Sequence, residues 1–379
     1  MIFDVVVIGA STAGLYAAEI LAARGKKVAL FDRAKELIPD RRTYIITPGL
    51  LRIVSDFDTH LIRHTIKSIQ VQSGEEERTI RLSTPDFVIE RRQLIDYFLS
   101  RAKKAGAEIF FDSEFLGFRT EKGKKIIQLR VEGQEKIIQT KYLIGADGVH
   151  SQVRELAGLH SVPHVPLLQA EVDLPSEWDS GLTKVWFKVD DSPYFYWLIP
   201  DKDNKAVVGL ISSPGSNIRK LLDNFMKKND LIPVEFQAGQ AVMYTRKTRV
   251  EVYLQDLHIL FVGDAAGQVK VTTVGGTVTG LAGAQAAARA ILENKSYQHT
   301  LRKTNRELDV HYFIRSLLDK MSNHDYEILF IGLSARVQMF LKNHDRDQMR
   351  WHFWKLIYLQ PKYIFLGSKI LLRLVFSRK

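Results

Sequence analysis

Residues Asp4–Arg33 form a unit that few folds accommodate. DVVVIG is a short β-branched run, the pattern of a buried central strand in a parallel sheet. TAGLYAAEILAARG reads as a helix that stops at Gly25, and KKVALFDR as a second strand. The turn that joins strand to helix is G-A-S-T-A-G. In the G-x-G-x-x-G fingerprint the first glycine makes a tight turn, the second lets a pyrophosphate reach the backbone, and the third lets the helix lie close to the strand. Gly9 and Gly14 hold the outer positions, with Ala13 before Gly14. Ser11 holds the middle one, where its side chain slightly hinders a pyrophosphate. Asp32 closes the second strand 18 residues after Gly14, where a carboxylate meets ribose hydroxyls. Arg33 suits either a ribose phosphate or a solvated strand end. The unit predicts dinucleotide binding without separating FAD from NAD.

Two later segments repeat the strand–turn–helix theme. KYLIGADGVHSQVRELAG (141–158) places Asp147 and Gly148 at a strand end, with Ser151 and Arg154 beyond. An aspartate there can brace a neighbouring loop through backbone hydrogen bonds. LHILFVGDAAG is another buried strand, ending in Gly263 and Asp264, and TVTGLAGAQAAARAIL is a small-residue helix able to pack closely on a sheet. Asp264 is placed to accept from ribityl hydroxyls. The helix start at Gly275, Gly276 and Thr277 points N–H groups toward an anion.

These three motifs, in this order and spacing, resemble the flavoprotein family of aromatic hydroxylases and geranylgeranyl reductases over roughly residues 1–292. The resemblance implies an α/β fold: a Rossmann-like FAD-binding domain, an inserted antiparallel-sheet substrate domain and a helical C-terminal region. The expected boundaries are 1–160 with 256–295 for FAD (including an inserted strand segment near 65–90), 161–255 for the substrate sheet and 296–379 for the helices. It implies that all three motifs hold one FAD, the first turn at the pyrophosphate and the late one at the ribityl chain and ring. By the same resemblance Arg91 opens a helix facing the cofactor, and Leu116 is a candidate for backbone contact with adenine.

PYFYWLIPDKDNKAVVGL (193–210) discriminates within the family. Alternation predicts a strand with Phe195, Trp197 and Ile199 on one face. The geranylgeranyl reductases carry Y-x-W-x-F-P here and the flavin halogenases W-x-W-x-I-P; this chain has F-x-W-x-I-P. G-D-A-A-G, with Gly267, is similar to the reductases, whereas hydroxylases show G-D-A-A-H. The chain departs from the reductases in carrying VTTVGGTVTG where they have a proline and TGGGI, and in having no cysteine at all. The resemblance thus implies an FAD-dependent oxidoreductase reducing isoprenoid C=C bonds of a lipid or quinone, with electrons from NAD(P)H or ferredoxin. The alternatives are an FAD-dependent monooxygenase or halogenase, and a protein that holds FAD as structure or sensor. An isolated prenyl alkene accepts a hydride only once it is protonated or shares a proton in the transition state. Phe195 and Trp197 suit the wall of a pocket that stabilises positive charge and excludes water. Tyr44, Tyr196 and His150 are candidate proton donors.

Charge enters the argument at the tail. The net charge is +11, and seven cations with no acid lie between Gln348 and the end. RWHFWKLIYLQPKYIFLGSKILLRLVFSRK mixes them with aromatics and aliphatics, and Pro361 divides it in two. Such a helix suits either the interface of an anionic bilayer or the protein's own core. The interleaved aliphatic surface excludes nucleic acid as partner. No transmembrane run, secretory signal or metal site is expected, which predicts a cytoplasmic protein, peripheral on the inner membrane face.

Overall fold

A computed structural model of the chain describes residues 1–36, 42–121 and 124–376. They fall into two compact units. The first comprises Met1–Asp40, Arg91–His164 and Ala241–Asp309, the second Arg41–Glu90, Val165–Gln240 and Val310–Lys379. These units cross the boundaries expected from sequence, because the strands at 43–90 and the helices beyond 310 group with the substrate sheet.

The first unit is built on a six-stranded sheet in the order Glu251–Leu254, Leu257–Phe261, Tyr142–Gly145, Val5–Ile8, Val28–Phe31, Glu108–Phe110. The last five run parallel, and only the Glu251–Leu254 edge is antiparallel. Every residue of Val5–Ile8 and Val28–Phe31 is buried, which explains why both read as continuous apolar runs. Parallel register brings the turns after Ile8, Phe31, Gly145 and Phe261 to one edge of the sheet, although they are spread over more than 250 residues. Ligands of open α/β sheets bind at that carboxyl edge. Ser113–Glu121, Lys124–Val131 and Gln134–Ile138 form a separate three-stranded meander.

The second unit carries an eight-stranded sheet in which Tyr196–Pro200 lies between Lys205–Ile211 and Leu182–Trp186. The helix Ile218–Lys228 covers one face, packing Leu222, Phe225 and Met226 on Tyr196, Leu198, Val208 and Leu210. Helices Asn323–Ile331, Ala335–Lys342, Met349–Leu359 and Lys362–Phe376 follow, the last two separated at Pro361 because proline cannot continue a helix.

Candidate active site

At the first turn Gly9 has φ +106°, and a Cβ on it would lie 2.4 Å from the carbonyl oxygen of Ala146. A Cβ on Gly14 would lie 2.3 Å from the carbonyl oxygen of Gly9 and 2.8 Å from the Ala146 methyl. Both glycines are therefore required by close approach of the second turn. Ser11 does something the fingerprint does not suggest. Its hydroxyl accepts from Gly14 N–H at 3.2 Å and caps the helix Thr12–Ala22, satisfying one of the N–H groups that a helix start leaves open. Asp32 accepts from Ala10 N–H at 2.6 Å and from Ala34 N–H at 2.9 Å. The carboxylate thereby pins the glycine turn to the end of the neighbouring strand.

The second motif braces as expected. Asp147 accepts from the Ser151 hydroxyl at 2.6 Å and from Val153 N–H at 3.0 Å. Burial raises its carboxyl above the usual aspartate range, and these hydrogen bonds oppose that rise. Arg154, 4% exposed, reaches across to the carbonyls of Arg249 and Ala265 at 2.8 and 3.1 Å and stands over the Phe261 ring. It joins the second motif to the third.

In the late motif Gly263–Ala266 forms a short 3-10 turn. A Cβ on Gly263 (φ +62°) would lie 3.2 Å from the Ala13 methyl, so this turn packs on the start of the first helix. A buried chain that sequence reasoning missed holds it there. Gly263 N–H donates to Gln268 Oε1 at 2.7 Å, Gln268 Nε2 donates to the Tyr297 hydroxyl at 2.8 Å, and that hydroxyl donates to Phe261 O at 2.9 Å. The three partners lie too far apart in sequence to reveal the network. Tyr297→Phe should cost about 1–3 kcal/mol in urea unfolding, because Gln268 Nε2 is left buried without an acceptor.

Gly9, Ser11, Asp32, Arg33, Arg91 and Asp147 line one cleft of about 320 Å³, together with Arg92, Asp96, Phe115 and His150. Ala13 and Gly14 lie behind it in the helix start. Leu116 is not among the lining residues. It is the unpaired residue of a bulge between Phe115 and Gly117, and its neighbours Ser113, Glu114 and Phe115 line the cleft instead. Gly276 caps the helix Thr277–Glu293, with Gly275 ahead of it. A Cβ on Gly276 would lie 3.6 Å from Asp264 Oδ1, which places the late aspartate at the start of that helix. A tight glycine turn with only small side chains, a capped helix start, a strand-end carboxylate and three arginines fit a dinucleotide with a pyrophosphate.

The FAD binding domain family profile matches residues 3–296, well over half of the chain. The chain belongs to the FAD binding domain family. FAD is its cofactor, and all three sequence motifs lie within the matched residues. Within this family, the chain is 28% identical over 355 residues to a digeranylgeranylglycerophospholipid reductase of Methanocaldococcus jannaschii, covering 86% of this chain and 90% of the relative. A crystal structure of a geranylgeranyl bacteriochlorophyll reductase-like protein from Thermoplasma acidophilum matches with a TM-score of 0.80 at 20% identity, covering 94% and 98% of the two chains. The p-nitrophenol 4-monooxygenase of Pseudomonas putida matches with a TM-score of 0.69 at 15% identity, covering 94% and 98%. At these identities the two structures show the fold.

In the second unit Trp197 and Ile199 share a face of the sheet and are each 6% exposed, while Phe195 stands just ahead of the strand, its ring 6.1 Å from that of Trp197. Trp197 is paired with Gly209, where a Cβ would lie 2.5 Å from the indole; the glycine is what lets the ring lie over the next strand. The indole N–H is buried without a hydrogen-bond partner. Tyr196 points to the opposite face. It stacks on Phe225 at 4.3 Å and donates to Asp191 at 3.1 Å, and burial and that carboxylate raise its hydroxyl well above the usual tyrosine range. A tyrosine so placed is unsuited to giving up a proton beside Trp197. His150 lines the cleft of the first unit, and Tyr44 sits in the sheet-edge strand Thr43–Ile46, four strands from Trp197.

Proposed function

We propose that this FAD-dependent oxidoreductase reduces isoprenoid double bonds of a lipid. The observation that carries the reading is the aromatic sheet face of Phe195 and Trp197, in a chain aligned along most of its length with a reductase of a digeranylgeranyl lipid. Bound FAD supplies two-electron transfer. The backbone at Gly9 and the start of the Thr12–Ala22 helix would hold its pyrophosphate, Asp32 its adenosine ribose, and Asp264 with Gly275, Gly276 and Thr277 its ribityl and ring end. Arg33 and Arg91 would offset its negative charge. Phe195 and Trp197 would present ring faces to a substrate carbon that becomes positive on protonation, an attraction of about 1–2 kcal/mol once water is excluded. The electrons come from an external donor.

A membrane surface fits this substrate class. No helix among the described residues is long and apolar enough to cross a bilayer. The last helix instead has two faces. Leu366 and Ile370 are buried against Met321, Tyr326 and Phe330, and Lys369 and Arg373 both pair with the fully buried Asp325. The outward side shows Phe365 at 77% exposure, and the preceding helix shows Trp351, Trp354 and Tyr358 at 67%, 70% and 82%. Their i, i+3, i+7 spacing makes one apolar stripe, in a segment that carries seven cations and no acid of its own from Gln348 on. We therefore propose that docking and membrane contact are opposite sides of the same two helices.

Product mass tests the function. FAD-loaded protein, a chemical reductant and a phospholipid bearing geranylgeranyl chains should yield a lipid heavier by two hydrogens per double bond. A product carrying an added oxygen or halogen atom would favour the monooxygenase or halogenase reading instead.

A further inference from the structure

We propose that a basic, acid-free surface beside the late turn docks an acidic one-electron carrier protein, the external donor of this oxidoreductase. This rests on the proposed function and on the cofactor placement above, in which Asp264, Gly275 and Gly276 face the ribityl chain and ring.

Two stretches of the first unit carry cations without acids. Arg246, Lys247 and Arg249 fall within 241–250, and Lys295, Arg302, Lys303 and Arg306 within 294–306; neither stretch holds Asp or Glu. Folding sets them side by side. Tyr244 and Leu308 are buried together with Val271, and Asp309 accepts from the Tyr244 hydroxyl at 3.0 Å and from Arg246 Nε at 2.9 Å. Arg302, Arg306 and Asp309 follow i, i+4, i+7 spacing in the helix Arg302–Leu318, so they form one row along its side. Arg246 closes that row and takes up its acid. Lys247, Arg249, Arg302, Lys303 and Arg306 are left, all exposed. Among the described residues, none of these five forms an ion pair.

The loop in the first stretch adjoins the late turn. Arg154 Nη1 donates to both Arg249 O and Ala265 O, at 2.8 and 3.1 Å, and a Cβ on Gly267 would lie 3.8 Å from the Thr248 side chain. The cations of this loop therefore lie beside the turn that carries Asp264. Their chemistry selects the partner. Clustered charges of one sign attract an oppositely charged protein and speed its arrival by roughly 10–1,000-fold at low salt. No large apolar side chain in either stretch is exposed, in contrast to the tail helices, so the surface offers a bilayer no apolar anchor. A charged surface of this kind suits the transient contacts of electron carriers, which bury less than about 1,200 Å². Two encounters deliver the two electrons of flavin reduction. Each leaves one carrier oxidised, and solvent supplies the accompanying proton.

The probe is a reduced plant-type ferredoxin of net negative charge, at about −400 mV, mixed without oxygen with full-length FAD-loaded protein. Flavin absorbance gives the second-order rate of reduction, and calorimetry with the oxidised carrier gives its affinity. K247Q, R302Q, K303Q and R306Q combined should lower both by about tenfold or more at low salt. K103Q, K104Q, K227Q and K228Q combined remove the same charge from exposed ends of the helices Arg91–Lys104 and Ile218–Lys228, and should leave both near the intact values. The intact rate should fall as salt rises from about 0.01 to about 0.1 M, where the screening length drops from about 30 to about 10 Å. FAD content and reduction by dithionite should be the same in all three proteins. Equal carrier rates in the two four-fold variants overturn the proposal, and lost liposome binding beside them would assign the surface to a membrane instead. Absence of carrier-driven flavin reduction in the intact protein overturns it too. If the first variant fails to fold, the intact protein decides: a carrier rate that ignores salt overturns the proposal. Carrier-driven flavin reduction without lipid saturation would contradict the reductase reading alone. Full FAD retention by both Asp32→Ala and Asp264→Ala would contradict the cofactor placement itself, a separate result.

Discussion

Gly9→Val should yield a colourless protein, with FAD occupancy near zero and unfolding free energy lower by about 3–5 kcal/mol, the range of severe backbone and packing defects. Gly9 sits at φ +106°, and its new Cβ would meet Ala146 O, Ala146 C and Asp147 Cα at 2.4, 2.6 and 2.8 Å. Those are backbone atoms, so no rotamer change relieves the clash. Neither strand can retreat easily, because Gly9 N–H donates to Phe31 O and Ala146 N–H donates to Ile8 O, both at 2.8 Å. Gly25 provides the control. It also has positive φ, but nothing lies within 4 Å of its Cβ position. Gly25→Ala should therefore cost only about 1 kcal/mol and leave the colour. Absorbance of released cofactor and urea unfolding read both variants. A yellow, stable Gly9→Val protein would refute the convergence of the first two turns on the cofactor.

Trp351→Ala, Trp354→Ala, Tyr358→Ala and Phe365→Ala combined should weaken binding to anionic liposomes at least a hundredfold, while leaving FAD content and unfolding midpoint near those of the intact protein. All four rings are at least two-thirds exposed, so the fold loses little. Removing a large side chain from an apolar phase costs roughly 1.5–3 kcal/mol when fully buried, and partial insertion of four rings exceeds the required two decades. Deleting the last helix is a poorer experiment. It would strip the buried Asp325 of Lys369 and Arg373 and uncover the partners of Leu366 and Ile370. Co-sedimentation at rising salt adds a second check, since attraction to the surface is screened over about 10 Å at 0.1 M. Equal liposome binding by the intact and four-fold substituted proteins would leave this face without a membrane role.

The cofactor fold was legible because each motif is local. A strand, a tight turn and a helix within 20 residues declare themselves by periodicity and glycine placement, and Asp32 and Asp147 stand where such units need an acid. What the sequence hides is contact between distant positions. Ser11 looked like an obstruction to pyrophosphate, but its hydroxyl serves the helix start, a choice its rotamer makes and its identity does not reveal. Gln268 and Tyr297 are unremarkable until the chain brings them under Gly263. Alternation put Trp197 and Ile199 on one face, with Phe195 just ahead of the strand, yet did not say that Tyr196 would be locked into the opposite core by the helix Ile218–Lys228, which begins seven residues after the hairpin strand Lys205–Ile211 ends. The tail posed a choice between core and membrane because composition averages over a helix. Exposure separates the docked side from the exposed side residue by residue, and two of the cations counted toward a headgroup surface turn out to serve Asp325.

Anaerobic reoxidation of the reduced flavin by substrate tests the reductase reading most directly. FAD-loaded protein reduced with a stoichiometric amount of dithionite is mixed, without oxygen, with a phospholipid carrying geranylgeranyl chains, and flavin absorbance is followed beside product mass. The account predicts reoxidation driven by the lipid alone, with one double bond saturated for each flavin reoxidised. Flavin that stays reduced until oxygen is admitted, and then yields an oxygenated lipid, would contradict it.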